Sequence, residues 1–108
     1  MKKLRHNIKE FALLIIDVQK KIINPIKNKE LILSNIELLL RTYEILGENI
    51  FLSEQNPIKL GKTLENILPK NEFKKIEKTK FSLAYEKNII NVFEEKNIKT
   101  LIICGFES

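Results

Sequence analysis

Short runs of apolar residues with almost no polar interruption constrain this chain more than anything else in it. FALLII (Phe11 to Ile16) carries no charge, TLIIC (Thr100 to Cys104) is apolar after its first residue, and NIFLS (Asn49 to Ser53) has an apolar centre. A strand with one wet face alternates apolar and polar side chains. A strand that does not alternate is covered on both faces, as strands in parallel sheets are. Parallel neighbours in turn need long crossover connections, usually helical.

The segments between the runs supply those crossovers. After an irregular stretch with Asn24 and Pro25, apolar residues recur at Ile32, Ile36, Leu39, Leu40, Tyr43 and Leu46, steps of three and four that draw one helical face. Gly47 offers a C-terminal stop. EQNPIKLGKT, with Pro57 and Gly61, reads as a loop, and a short helix from Leu64 to Leu68 ends at Pro69. FKKIEK (Phe73 to Lys78) has the mixed pattern of an edge strand. Ser82 can cap a helix carrying Leu83, Ile89, Ile90 and Phe93, which Asn97 breaks. The order β, α, β, short α, β, α, β predicts an α/β fold: a doubly wound, Rossmann-like parallel sheet in a three-layer α/β/α arrangement with right-handed crossovers.

Composition narrows the class of partner. The chain has 108 residues, 44% of them hydrophobic, and no repeat or linker, so residues 1–108 are expected to belong to one domain with a real core. The formal charge of +5 comes from lysines interleaved with acids, as in KNKE, EFKKIEKTK and FEEKNIK. Only Arg5 and Arg41 offer the forked guanidinium on which phosphate and guanine readers lean. No nucleic-acid partner is expected. A single cysteine, Cys104, excludes an internal disulfide and fits a reducing, cytoplasmic compartment. Phe11 to Ile16 is too short for a membrane span or a signal-peptide core, so no membrane partner is expected.

In open parallel sheets, functional groups collect at the carboxyl ends of the strands, near the point where strand order reverses. Polar residues stand there: Asp17 and Gln19 after the first run, Glu54 and Gln55 after the second, Lys78 after the third. A carboxylate directly after six apolar residues is costly unless it is solvated, paired or used. Taken one at a time, such a carboxylate reads more readily as a helix cap or loop anchor than as a functional group.

Four segments in order, ALLIIDVQ (Ala12 to Gln19), SEQNPIKLGKT (Ser53 to Thr63), IEKTKFS (Ile76 to Ser82) and LIICGFES (Leu101 to Ser108), resemble the isochorismatase-like superfamily of cysteine hydrolases. Within it the chain is most similar to the branch of isochorismatase family hydrolases. The resemblance implies a catalytic Asp at Asp17 and a catalytic Lys at Lys78. It also implies a nucleophilic Cys just beyond the fourth strand, for which GFES (Gly105 to Ser108) supplies only the preceding residues. On this reading the chain stops a few residues before the nucleophile, and the C-terminal part of the domain is missing. Cys104, ahead of the glycine and inside the apolar run, reads as a buried structural thiol.

In such an enzyme the lysine stabilises the thiolate, and the aspartate takes the thiol proton and passes it to a leaving amine. Attack on an amide-like carbonyl gives an oxyanion held by backbone NH groups, and a thioester is then hydrolysed. The resemblance implies a cis peptide around Phe106 and Glu107. Gln19, Glu54, Gln55 and Phe81 are the expected substrate-binding residues. Gln19 could equally structure the turn, Ser82 reads as an N-cap, and Leu60 and Gly61 border the access to the site.

Nicotinamidases share the fold and hold a metal with an Asp and two His in the loop after the second strand. Here that loop has Glu54, Gln55 and Asn56, and the one histidine, His6, lies in the polar N-terminus. No metal and no cofactor are expected. The expected partners are a small-molecule substrate and further copies of the chain in a homo-oligomer. Two alternatives stay open: vinyl-ether hydrolysis by Asp and Lys without the Cys, and a noncatalytic interaction module or inactive fragment. A chain ending at its fourth strand leaves Leu101, Ile102 and Ile103 with an open edge or face, so association is expected.

Overall fold

The computed structural model describes residues 8–47, 49–78 and 83–106. Four parallel strands form one sheet: β1 (Phe11–Ile16), β2 (Ile50–Gln55), β3 (Lys74–Lys78) and β4 (Thr100–Gly105), in the order β3-β2-β1-β4. Helices α1 (Lys20–Ile23), α2 (Lys29–Leu46), α3 (Pro57–Leu60) and α4 (Leu83–Glu95) connect them, with 3-10 turns at Ile8–Glu10 and Glu65–Ile67. The chain runs from β1 outward through β2 to β3, then crosses back to place β4 on the other side of β1. Strand order therefore reverses between β1 and β4.

The runs of β1 and β2 do what their pattern requires, whereas that of β4, expected to be buried too, lies at the other edge of the sheet and has no buried residue. Leu13 pairs with Ile50 and Ile15 with Leu52, so these four point to one face. There they join Ile36, Leu40 and Tyr43 of α2 and Ile23 of α1 in the main core. Phe51 points to the opposite face, where its ring meets Phe93 of α4 edge-on, with centroids 5.1 Å apart. Helices thus cover both faces, the three-layer α/β arrangement. β3 is an edge strand, as its mixed pattern foretold. Among the described residues no helix is long and apolar enough to cross a membrane.

Several boundaries differ from the sequence reading. The second strand continues through Glu54 and Gln55, whose partners are Glu77 and Lys78 of β3. Polar residues read as loop locally, yet here the backbone stays in the ladder, Thr63 and Lys75 satisfy the Glu54 side chain, and Gln19 binds the Gln55 backbone. The stretch after β2 contains the helical turn α3, with Pro57 at its start, where the missing N–H costs nothing. The short helix expected over Leu64 to Leu68 is a single 3-10 turn, and β3 begins at Lys74, one residue later than expected.

Gly47 ends α2, but not through a left-handed cap, since its φ is −130°. A Cβ there would lie 2.6 Å from the Tyr43 ring, whose hydroxyl donates to the Phe11 carbonyl at 2.9 Å. Glycine is needed for the close approach of that ring. Ile103 on β4 is 58% exposed, and Leu101 and Ile102 are half-buried.

Candidate active site

The site is assembled at the carboxyl ends of β1, β2 and β3. Asp17 ends β1 in the left-handed region, φ 54°, which aspartate tolerates better than most residues. Its N–H still donates to the Ser53 carbonyl at 3.1 Å, and its own carbonyl accepts from Gln19 N–H at 2.9 Å. The positive φ breaks the alternation of the strand. Asp17 then faces Ser53 and Lys78, which the register places on one side of the sheet.

The carboxylate is only 2% exposed and is held at both oxygens. Ser53 Oγ donates to Oδ1 at 2.8 Å, and Lys78 Nζ donates to Oδ2 at 3.1 Å. Lys78 stands two strands away from Asp17, with β2 between them. The small Ser53 side chain lets the lysine reach over β2 while contributing a hydrogen bond of its own. A buried ion pair is stable only with such added donors, because desolvating both charges costs several kcal/mol per ion.

The neighbouring polar residues divide between the two faces. Gln55 pairs with Lys78 and shares its side of the sheet. Glu54, one residue earlier, points the other way and is 3% exposed. Its Oε2 accepts from the backbone N–H of Thr63 at 2.9 Å and from Thr63 Oγ1 at 2.8 Å, while Oε1 faces Lys75 Nζ at 3.4 Å. Burial pushes the Glu54 carboxyl up, but the two Thr63 hydrogen bonds and the Lys75 ammonium outweigh it, and the group titrates below the ordinary range.

Gln19 is fully buried. Its amide donates to the carbonyls of Gln55 at 3.0 Å and Gly61 at 2.7 Å, and its Oε1 accepts from Gln55 N–H at 2.8 Å. Gln19 and Glu54 therefore clasp the segment from Asn56 to Thr63 onto the strand ends. Asn56 N–H adds a bond to the Lys78 carbonyl at 2.7 Å.

The structure thus brings Asp17 and Lys78 into contact, sets Gln55 beside Lys78, and uses Gln19 and Glu54 within the protein. Phe81, Ser82, His6 and the peptide between Phe106 and Glu107 lie outside the described residues. Cys104 sits within β4, half-buried, and burial pushes its thiol up to about 11. Among the described residues no three His, Cys, Asp or Glu side chains gather so as to hold a metal ion.

Ser53 and Thr63 were not singled out from the sequence. Ser53 had a signal, since a hydroxyl closing a run that must be covered on both faces needs a partner. Thr63 had none, because its acceptor is defined only once the loop folds back.

A buried Asp17 carboxylate paired with the partly exposed Lys78 at strand ends, beside the point where strand order reverses, can accept a proton at the carboxylate and stabilise an anion at the ammonium. Comparison with known proteins gives the chain a family context. The isochorismatase domain model matches residues 11–108. The chain belongs to the isochorismatase family.

Isochorismatase family protein 1B of Dictyostelium discoideum is 30% identical over 103 residues, covering 90% of this chain and 50% of that protein. The MAR1 ribonuclease of Caenorhabditis elegans superposes with a TM-score of 0.76 at 28% identity, over 95% of this chain and 53% of that one. A cysteine hydrolase from Pseudomonas syringae pv. phaseolicola 1448A shares the fold, with a TM-score of 0.70 at 14% identity over 97% of this chain and 63% of that one. The chain spans about half the length of the curated relative it matches.

Proposed function

We propose that the complete protein is a hydrolase that cleaves a small amide or related carbon–nitrogen bond through a cysteine thiolate, with Asp17 and Lys78 as its activating pair. The observation that carries this reading is the buried Asp17 carboxylate, held between Ser53 Oγ and Lys78 Nζ. A thiol of ordinary pKa near 8.5 is mostly protonated at neutral pH and needs both a proton acceptor and a nearby cation. Asp17 accepts the thiol proton. Lys78 stabilises the thiolate, and Asp17 returns the proton to the leaving amine.

Cys104 does not fit the part of nucleophile. It lies inside β4, and its raised pKa leaves it protonated. In this reading the nucleophile is a cysteine of the complete protein other than Cys104. Gln55, beside Lys78, is the described polar residue best placed to meet a substrate, while Gln19 and Glu54 act by holding the loop that borders it.

The test is an assay of the complete gene product on a panel of small amides, with single-stranded RNA and a vinyl ether as comparison substrates. Amide turnover with a thioester trapped by mass spectrometry, and loss of both in Asp17→Asn and Lys78→Met, is the expected result. Turnover that survives replacement of that cysteine but not of Asp17 would favour the vinyl-ether reaction instead. Full amide activity in Asp17→Asn would overturn the assignment.

A further inference from the structure

Ser53 and Lys78 hold the Asp17 carboxylate in different ways. Ser53 Oγ lies 2.8 Å from Oδ1 and Lys78 Nζ 3.1 Å from Oδ2. An ionised carboxylate has no proton to give, so the serine hydroxyl is the donor in the first of these bonds. Ser53 is 2% exposed and is paired on both sides, with Ile16 of β1 and Ile76 of β3. It grips Asp17 a second time, since its carbonyl accepts the Asp17 N–H at 3.1 Å. A short side chain on a strand fixed in this way cannot follow a moving partner. Lys78 can, because its ammonium ends a flexible four-carbon stem, its side chain is 26% exposed, and β3 is the edge of the sheet.

We infer that Ser53 is a positioning residue for the proposed reaction: by holding Oδ1 it makes Oδ2 the oxygen that takes the proton. The inference rests on the hydrolase reading above. In that reading the S–H bond of the nucleophilic cysteine breaks, its electron pair stays on sulfur, and an O–H bond forms on Asp17. A proton at Oδ1 would turn the acceptor of the Ser53 bond into a hydroxyl oxygen, which holds a hydrogen bond poorly, and in a buried site an unmet hydroxyl costs its desolvation. At Oδ2 the donor displaced is the Lys78 ammonium, which turns to the new negative charge on sulfur. Oδ1 remains an acceptor in the neutral acid as in the carboxylate, so the Ser53 bond survives the transfer. Negative charge thus passes from Asp17 to the thiolate while Lys78 follows it and Ser53 stays. The new O–H bond later breaks to give its proton to the leaving nitrogen, and the carboxylate is restored in the same orientation.

The test has two arms. In the complete protein, Ser53→Ala should lower kcat for a small amide that the parent turns over by about 10- to 100-fold, the worth of a hydrogen bond to a charged group, with KM within about twofold. Ser53→Thr keeps the hydroxyl and should recover most of the loss. Asp17 is the only aspartate in the 108 residues, so carbon-13 labelling of aspartate gives the chain a single side-chain carboxyl resonance. At neutral pH that resonance should move in Ser53→Ala and return towards the parent position in Ser53→Thr. Unchanged kcat in Ser53→Ala overturns the inference, as does a loss confined to KM or a carboxyl resonance that stays in place. Equal losses in Ala and Thr variants that both melt as the parent does overturn it too. A parent without amide turnover overturns the hydrolase reading and, with it, the inference that rests on it, so the activity of the parent tells the two failures apart.

Discussion

At the scale of single residues, the Asp17–Lys78 pair separates chemistry from stability in a way that can be measured. Asparagine tolerates the left-handed φ of 54° as aspartate does. Asp17→Asn should therefore fold and lose about 10²- to 10⁴-fold in kcat/KM of the complete enzyme, the usual worth of a general acid–base group. Lys78→Met leaves a buried carboxylate with Ser53 as its remaining side-chain donor. Because Lys78 is a quarter exposed, the loss of stability at neutral pH should sit near the lower end for a broken buried pair, about 3 kcal/mol by urea denaturation. Adding Asp17→Asn to Lys78→Met should restore part of that loss, since the unpaired charge is gone; a strictly additive double variant would contradict the pairing. Cys104 gives a second check. With its thiol pushed up to about 11, roughly one molecule in 10⁴ carries a thiolate at pH 7, and a thiol probe should label the native chain far more slowly than the urea-unfolded one. Ser53 shows why residue-level reading stops short: a hydroxyl at the end of an apolar run signals that it needs a partner, but only the register names Asp17 as that partner.

At the scale of elements, the strand ends are tied together by a few close contacts that local pattern cannot reveal. Gly105 closes β4 at φ 136°, and a Cβ there would come within 2.1 Å of the Ile16 carbonyl oxygen. Gly105→Ala should thus lower stability by about 2 kcal/mol or more in a denaturant melt; a change within experimental error would show that β1 and β4 can separate at that point. The clasp of Glu54 on Thr63 does the same for the loop after β2. Glu54→Gln keeps the shape but gives up the charge facing Lys75, and limited proteolysis should cut the segment from Asn56 to Lys62 faster than in the parent. The loop reading of Glu54 and Gln55 failed for a physical reason. Polarity marks a residue as solvated only when nothing else satisfies it, and here β3, Thr63 and Gln19 do so. The buried strands and the inward face of α2 were legible because their signals, unbroken runs and a three-to-four step, lie within a few residues of chain.

For the whole molecule, two carboxylates among the described residues, Glu44 and Glu54, titrate below the ordinary value and make stability depend on pH on the acid side. Burial alone would raise both, but Thr63 and Lys75 hold Glu54 down, and Arg41 with the N–H groups of Lys70 and Asn71 holds Glu44 down. A group that titrates lower in the folded state binds fewer protons there than when unfolded. Its stabilisation is therefore complete above the ordinary value of 4.5 and drains away as pH falls through the depressed folded values. Urea melts between pH 6 and 3 should show the midpoint falling below about pH 4.5, with a shallower fall in Glu54→Gln; a flat profile would mean that neither carboxylate is held in solution as it is in the structure. What the sequence determined by itself was the set of elements and their class: runs covered on both faces, separated by helical periodicity, leave little but a parallel sheet with helices on its faces. Resemblance added Asp17 and Lys78 as candidates. Only the tertiary structure decided that these two, 61 residues apart, touch across β2, and that Gln55 shares their side while Glu54 faces away. Those outcomes depend on strand order and register, which arise from contacts between segments far apart in the chain and leave no local trace in any one of them.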